Sequence, residues 1–149
     1  MLTILVISMG GMIRIYDAGE SCPDWPTCFG TWGFDISEEE QGEWWEENPD
    51  EADSRGSGHR YSSFQIFTEW FHRLLAGAFV GPLVILNWLL IRKEAWTSSR
   101  VRGVSSLTLG LILWQGAIGW LTVKMDNENW SVAIHLGSAM AFLLSLIHI

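Results

Sequence analysis

With 149 residues and a formal net charge of −8, the chain is the size of one domain and has the wrong sign for nucleic acid, whose phosphates need a basic surface. The same acidity argues against docking on anionic lipid. The mean hydropathy of +0.18 hides a segregation: residues 16–62 hold 13 of the 17 acids, and most of the rest is apolar.

The first apolar stretch, residues 1–15, has Arg14 as its single charge. A membrane-crossing helix needs about 20 residues at about 1.5 Å each. This stretch is shorter and reads as a membrane helix entered partway. It lacks the basic leader and the small-residue cleavage pattern of a signal peptide.

Residues 16–62 form one long loop with two characters. The stretch from Asp17 to Phe34 is rich in Gly, Pro, Cys and Trp, and reads as compact and ordered. Residues 35–60 are acidic, then rich in Ser and Gly; they offer little surface to bury and are expected to be flexible, with His59 solvated. Cys22 and Cys28 are separated by five residues, unlike the C-x-x-C of a thioredoxin-like site, and no second pair or neighbouring histidine suggests zinc. In an oxidising compartment they read as a structural disulfide, with a redox-active pair as the alternative.

The second apolar stretch, residues 64–91, is long enough to span and contains Pro82, which is expected to kink it. Near its start lie Glu69, His72 and Arg73, spaced i, i+3, i+4 on one helical face. Ionisable groups within a membrane segment are costly and usually face a bundle interior for a functional reason. Pairing of Glu69 with Arg73 near the headgroups would explain two of these residues but not the histidine. Residues 92–102 form a short loop with Arg92, Lys93, Arg100 and Arg102 against Glu94 alone. Such loops stay on the cytoplasmic side, which places the long loop and its cysteines on the outer face.

The third stretch, residues 103–123, is uncharged and contains Gln115, followed by Gly116 and Gly119, which allow a helix or a flat ring to approach closely. Plain helix packing is the competing reading there. The fourth, residues 130–149, carries His135 and reaches spanning length only by running to the last residue, so it too reads as truncated. Trp70, Trp88, Trp96, Trp120 and Trp130 lie near segment ends, where an aromatic belt forms. The expected fold is therefore an all-α integral membrane protein: a single membrane domain, a four-helix transmembrane bundle with a long extracytoplasmic loop after the first helix.

Counted from their outer ends, His72 lies roughly 12 Å and His135 roughly 8 Å below the surface. Two histidines at similar depth on neighbouring helices could clamp one heme iron, as helix bundles often do. Arg73 could pair with a heme propionate.

The residues Gly10-Gly11-Met12-Ile13-Arg14, then Gly19-Glu20-Ser21-Cys22-Pro23-Asp24-Trp25-Pro26-Thr27-Cys28-Phe29-Gly30, resemble the first segment and outer loop of the heme A synthase family. The resemblance continues through Glu69-Trp70-Phe71-His72-Arg73-Leu74-Leu75-Ala76, then Gln115-Gly116 with Gly119, then His135, and omits only the acidic insert at about 35–60. It implies an enzyme of two similar four-helix halves, one holding a heme b cofactor and the other the substrate heme O, whose ring methyl is oxidised to a formyl group. This chain would be the N-terminal half. His72 and His135 would be the iron ligands, Arg73 and Gln115 further cofactor-binding residues, and Glu69 the catalytic carboxylate. Cys22 and Cys28 match a cysteine pair found in part of the family.

The family's usual threonine before the first-segment arginine is Ile13 here. The second half, with its heme site, is not in this sequence. The resemblance also implies membrane lipid, heme O synthase and an electron acceptor such as quinone as partners, in a prokaryotic plasma membrane. The competing classes are a b-type heme electron-transfer module, a non-catalytic heme-binding assembly protein, and a membrane thiol oxidase using Cys22 and Cys28. The last needs a second cysteine pair that the sequence lacks.

Overall fold

The computed structural model describes residues 1–51 and 53–148. Its regular structure is helical: α1 (Leu2–Ile15), α2 (Glu38–Glu47), α3 (Ser63–Leu74), α4 (Gly81–Lys93), α5 (Ser99–Lys124) and α6 (Asn129–Ile147), with a π-helical segment at Leu75–Val80. Ser63–Lys93 runs as one helix of 31 residues through that segment, and it, α5 and α6 are each long and apolar enough to cross a membrane. α1 is apolar but shorter. The last position of the expected fourth span, residue 149, lies outside the described residues.

The chain divides into two compact units. One comprises Met1–Ile7 and Leu74–Ile149. In it α5 packs against both α4 and α6, and a core of Val80, Val84 and Phe142 gathers Leu2, Val6, Leu109, Leu111, Ile112 and Leu146 around it. Large apolar side chains such as Leu86, Leu113, Trp120 and Leu136 are exposed on its surface. That inside-out distribution suits a protein solvated by lipid rather than water. Within the core, the single proton of the Thr108 hydroxyl has the Val104 carbonyl at 2.9 Å and, across helices, Ser145 Oγ at 3.0 Å in reach, while Ser145 donates to the Phe142 carbonyl, so neither buried hydroxyl lacks a partner.

The π-helical segment has a local cause. Pro82 has no N–H, and its ring would collide with the carbonyl four residues back in a regular helix. Widening the preceding turn relieves both problems, and the Gly81 N–H bonds to the Ala76 carbonyl. The expected disturbance at Pro82 is thus a π turn placed just before it.

The second unit is Ser8–Arg73. The stretch expected to be flexible is ordered around α2. Ser37 caps that helix reciprocally with Glu40: its hydroxyl accepts from the Glu40 N–H, and the Glu40 carboxylate accepts from the Ser37 N–H at 2.7 Å. The Ser37 N–H, and after it the Ser37 hydroxyl, also 2.7 Å from the carboxylate, hold the Glu40 carboxyl below the usual glutamate value. Trp45 and Ile36 join Cys22, Cys28, Phe29, Tyr61 and Ile66 in one buried cluster. Gln41, fully buried, pairs with the backbone of Tyr61, accepting from its N–H at 2.8 Å and donating to its carbonyl at 3.0 Å. Composition missed this because the stretch has Ile36 as its one large aliphatic side chain and contributes mainly tryptophan rings and the Gln41 amide. His59 is half-buried with its ring edge against Tyr61, not solvated. The Tyr61 hydroxyl donates to Asp53, and burial together with that carboxylate pushes the phenol well above its ordinary value.

A disulfide joins Cys22 and Cys28. A tight turn follows, with Cys28 and Thr31 exchanging backbone bonds of 2.9 and 3.1 Å. Its central residues, Phe29 and Gly30, have φ of 50° and 72°, the left-handed geometry of a primed turn.

Candidate functional site

α3 begins at a second reciprocal cap. Ser62 Oγ accepts from the Gln65 N–H, and Gln65 Oε1 accepts from the Ser62 N–H. Gln65 Nε2 also donates to the carbonyls of Tyr16 and Asp17, so the cap fixes the helix start against the end of α1. From that start the i, i+3, i+4 spacing brings Glu69, His72 and Arg73 to one face, as the sequence indicates.

The partners of that face come from the cysteine loop. Glu69 is 3% exposed, yet both its oxygens are occupied. Oε1 accepts from Arg73 Nη2 at 2.6 Å, and Oε2 accepts from Ser21 Oγ at 3.0 Å and from the Cys22 N–H at 2.9 Å. The Arg73 guanidinium reaches onward, donating to the carbonyls of Cys22 at 2.7 Å and Asp24 at 2.6 Å. Carboxylate and guanidinium therefore clamp the disulfide loop onto α3 from inside. A buried charge is tolerable only with this degree of pairing. Ser21, which nothing in its local sequence singles out, completes the shell around Glu69.

His72 is half-buried in the same unit and lies beside α1 at a glycine: a Cβ added to Gly10 would stand 3.4 Å from His72 Cε1. The second histidine is built in the same way in the other unit. His135, half-buried on α6, faces Gly119 of α5, where an added Cβ would meet Cε1 at 3.0 Å. Gln115 steadies it. Its Nε2 donates to the His135 carbonyl at 2.9 Å and stands 3.2 Å from Nδ1. Ser138, one turn after His135, donates to Gln115 Oε1 at 2.6 Å. An amide N–H can only donate, so in this contact Nδ1 accepts and the ring proton lies on Nε2; a metal bound through Nε2 would displace that proton. Ser138 shares a helix face with His135, a relation that the i+3 spacing would have revealed.

Among the described residues no three His, Cys, Asp or Glu side chains converge as a cage for a bare ion. A porphyrin brings its own equatorial nitrogens and asks the protein only for axial ligands, commonly histidine. Imidazoles lying against glycines suit that need, and at His135 the missing Cβ of Gly119 sets the room. Gly119→Ala is accordingly expected to weaken heme uptake about tenfold, the scale of overpacking by one methyl. Gly116→Ala on the same helix, where nothing stands within 4 Å of the added Cβ, is expected to leave uptake unchanged in the same heme titration.

Comparison with known proteins adds the following. The family model COX15-CtaA, described as cytochrome oxidase assembly protein, matches residues 1–149. Heme A synthase of Shewanella oneidensis is 34% identical over 149 residues, covering 99% of this chain and 42% of that protein. Heme A synthase of Novosphingobium aromaticivorans is 28% identical, covering 97% of this chain and 43% of its own length. A heme A synthase–mitochondrial ferredoxin fusion protein of Schizosaccharomyces pombe is also 28% identical, with 26% of its length covered. The chain thus spans less than half the length of these relatives. No solved structure matches it.

Proposed function

The chain belongs to the COX15-CtaA family of cytochrome oxidase assembly proteins, and from that premise we propose that it works in heme A biosynthesis, as part of a membrane enzyme that oxidises a ring methyl of heme O to a formyl group. The observation that carries this reading is the match across all 149 residues, together with relatives named heme A synthase. It is supported by the survival of the candidate residues as two organised clusters, Glu69 with Arg73 and the cysteine loop, and His135 with Gln115 and Ser138.

The roles follow from the chemistry of each group. His72 and His135 would hold a heme, and that heme would supply the redox chemistry. Gln115 lies against the His135 ring and carbonyl, and Ser138 in turn holds the Gln115 amide, so the imidazole is kept in one orientation. Glu69, one turn from His72, places a negative charge that cannot swing away, because Arg73, Ser21 and the Cys22 N–H grip it. Such a fixed carboxylate can stabilise positive charge developing on the substrate methyl or accept its proton. Arg73, proposed from the sequence for a heme propionate, spends two of its nitrogens on Glu69 and the loop carbonyls. Any propionate contact would have to come in addition to that clamp.

The proposed setting is a prokaryotic plasma membrane with the cysteine loop outside, as the basic Arg92, Lys93, Arg100 and Arg102 suggest. Heme O, membrane lipid, heme O synthase and an acceptor such as quinone are the proposed partners. Extraction of the pigment from the protein purified out of heme O-producing cells tests this reading. Heme O or heme A alongside protoheme is the expected result. Protoheme alone would point instead to a b-type electron carrier.

A further inference from the structure

We propose that the tip of the cysteine loop is a membrane anchor: Trp25, together with Trp32, inserts into the lipid interface at the level of Arg73, and the hydrocarbon begins there rather than at the start of α3.

Two independent limits converge on that level. The first is length. The helix Ser63–Lys93 has 31 residues, or about 46 Å at 1.5 Å each. The hydrocarbon core is about 30 Å thick. Measured back from the basic pair Arg92 and Lys93, a span of that thickness ends near Leu74, leaving α3 as surplus.

The second limit is the loop. Arg73 lies about 15 Å along the axis from Ser63, and the loop reaches down to it: the carbonyls of Cys22 and Asp24 accept from its guanidinium at 2.7 and 2.6 Å. An irregular loop exposed to lipid is not tolerated inside the hydrocarbon, where its backbone groups would find no partners. The boundary therefore cannot lie far on the α3 side of this tip. Span length forbids it from lying far on the other side.

At that tip two large rings stand open. Trp25 is 68% exposed and Trp32 74% exposed, whereas Phe29 of the same loop is buried. Trp32 does not wander: its carbonyl accepts from Trp70 Nε1 of α3 at 2.8 Å. Phe34 continues the surface, its ring centroid 5.0 Å from both Phe67 and Trp70. Tryptophan favours the interface because its ring is apolar and its N–H needs a polar partner. The polar groups at the same level, Arg73 and the loop carbonyls, are already paired with one another, which removes the main cost of lying against headgroups. On this placement His72 sits at the edge of the hydrocarbon instead of about 12 Å beneath it, next to the layer through which an amphiphilic substrate would arrive.

The test uses the full chain labelled with 5-fluorotryptophan in phosphatidylcholine nanodiscs. The fluorine signals of Trp25 and Trp32 are assigned by their loss in Trp25→Phe and Trp32→Phe, both conservative changes at exposed rings. Doxyl-labelled lipid is expected to remove most of the Trp25 signal and part of the Trp32 signal. Those of Trp44 and Trp45 should survive it. A Trp25 signal broadened by a water-soluble gadolinium chelate and indifferent to the lipid label would overturn the proposal. So would a signal indifferent to both, since the ring would then be covered by protein. Neither outcome bears on heme chemistry, so the anchor stands or falls apart from the proposed enzyme.

Discussion

Glu69→Gln is expected to reduce heme A formation by at least about 100-fold while leaving bound heme largely in place. The change preserves shape and removes the charge. Glu69 is nearly fully buried, and its charge is matched by Arg73 at 2.6 Å. If the carboxylate handles a proton or steadies positive charge at the substrate methyl, the amide can do neither, and the loss falls on the chemical step. His72 is a separate side chain, so ligation should persist. The measurement is heme A content by chromatography, in cells whose supply depends on this protein, set beside total heme in the purified protein. Unchanged heme A with Glu69→Gln would remove Glu69 from the chemistry and leave it as the loop clamp that its hydrogen bonds already describe.

The second large effect is on stability. Arg73→Ala strands the buried Glu69 carboxylate with only Ser21 and the Cys22 N–H, and it leaves the carbonyls of Cys22 and Asp24 without their donor. Breaking one side of a buried ion pair costs about 3–5 kcal/mol. The cysteine loop should come off α3, and limited proteolysis within residues 17–34 should accelerate about 100-fold or more, as that free energy implies. Arg73→Lys should recover only part of the protection, because an ammonium cannot serve a carboxylate and two carbonyls in the fork geometry of guanidinium. Proteolysis at the unchanged rate would mean that the disulfide and the aromatic cluster hold the loop without the clamp.

The sequence made the spanning helices legible because lipid-facing segments have to be long and apolar. It also put Glu69, His72 and Arg73 on one face, since helical periodicity is local information. What those residues touch was not local. Nothing in the spacing of α3 tells that Arg73 will hold the carbonyls of Cys22 and Asp24, some fifty positions earlier in the chain. The order around α2 was hidden differently. A Ser-x-x-Glu cap at Ser37 and Glu40 was readable, but a helix of mostly acidic residues looks unable to bury anything until Trp44, Trp45 and Gln41 are seen to supply the contact. Ser138 sat one turn from His135 in plain view, while its role depends on Gln115 arriving from another helix.

The central claim is that His72 and His135 are both ligands of heme iron, and an absorption spectrum tests it most directly. The detergent-purified protein would be titrated with heme, as the unaltered chain and as His72→Ala and His135→Ala. A low-spin spectrum of paired-histidine character, lost in each variant while helical content by circular dichroism is retained, is the predicted result. A spectrum that survives either substitution unchanged would contradict the account.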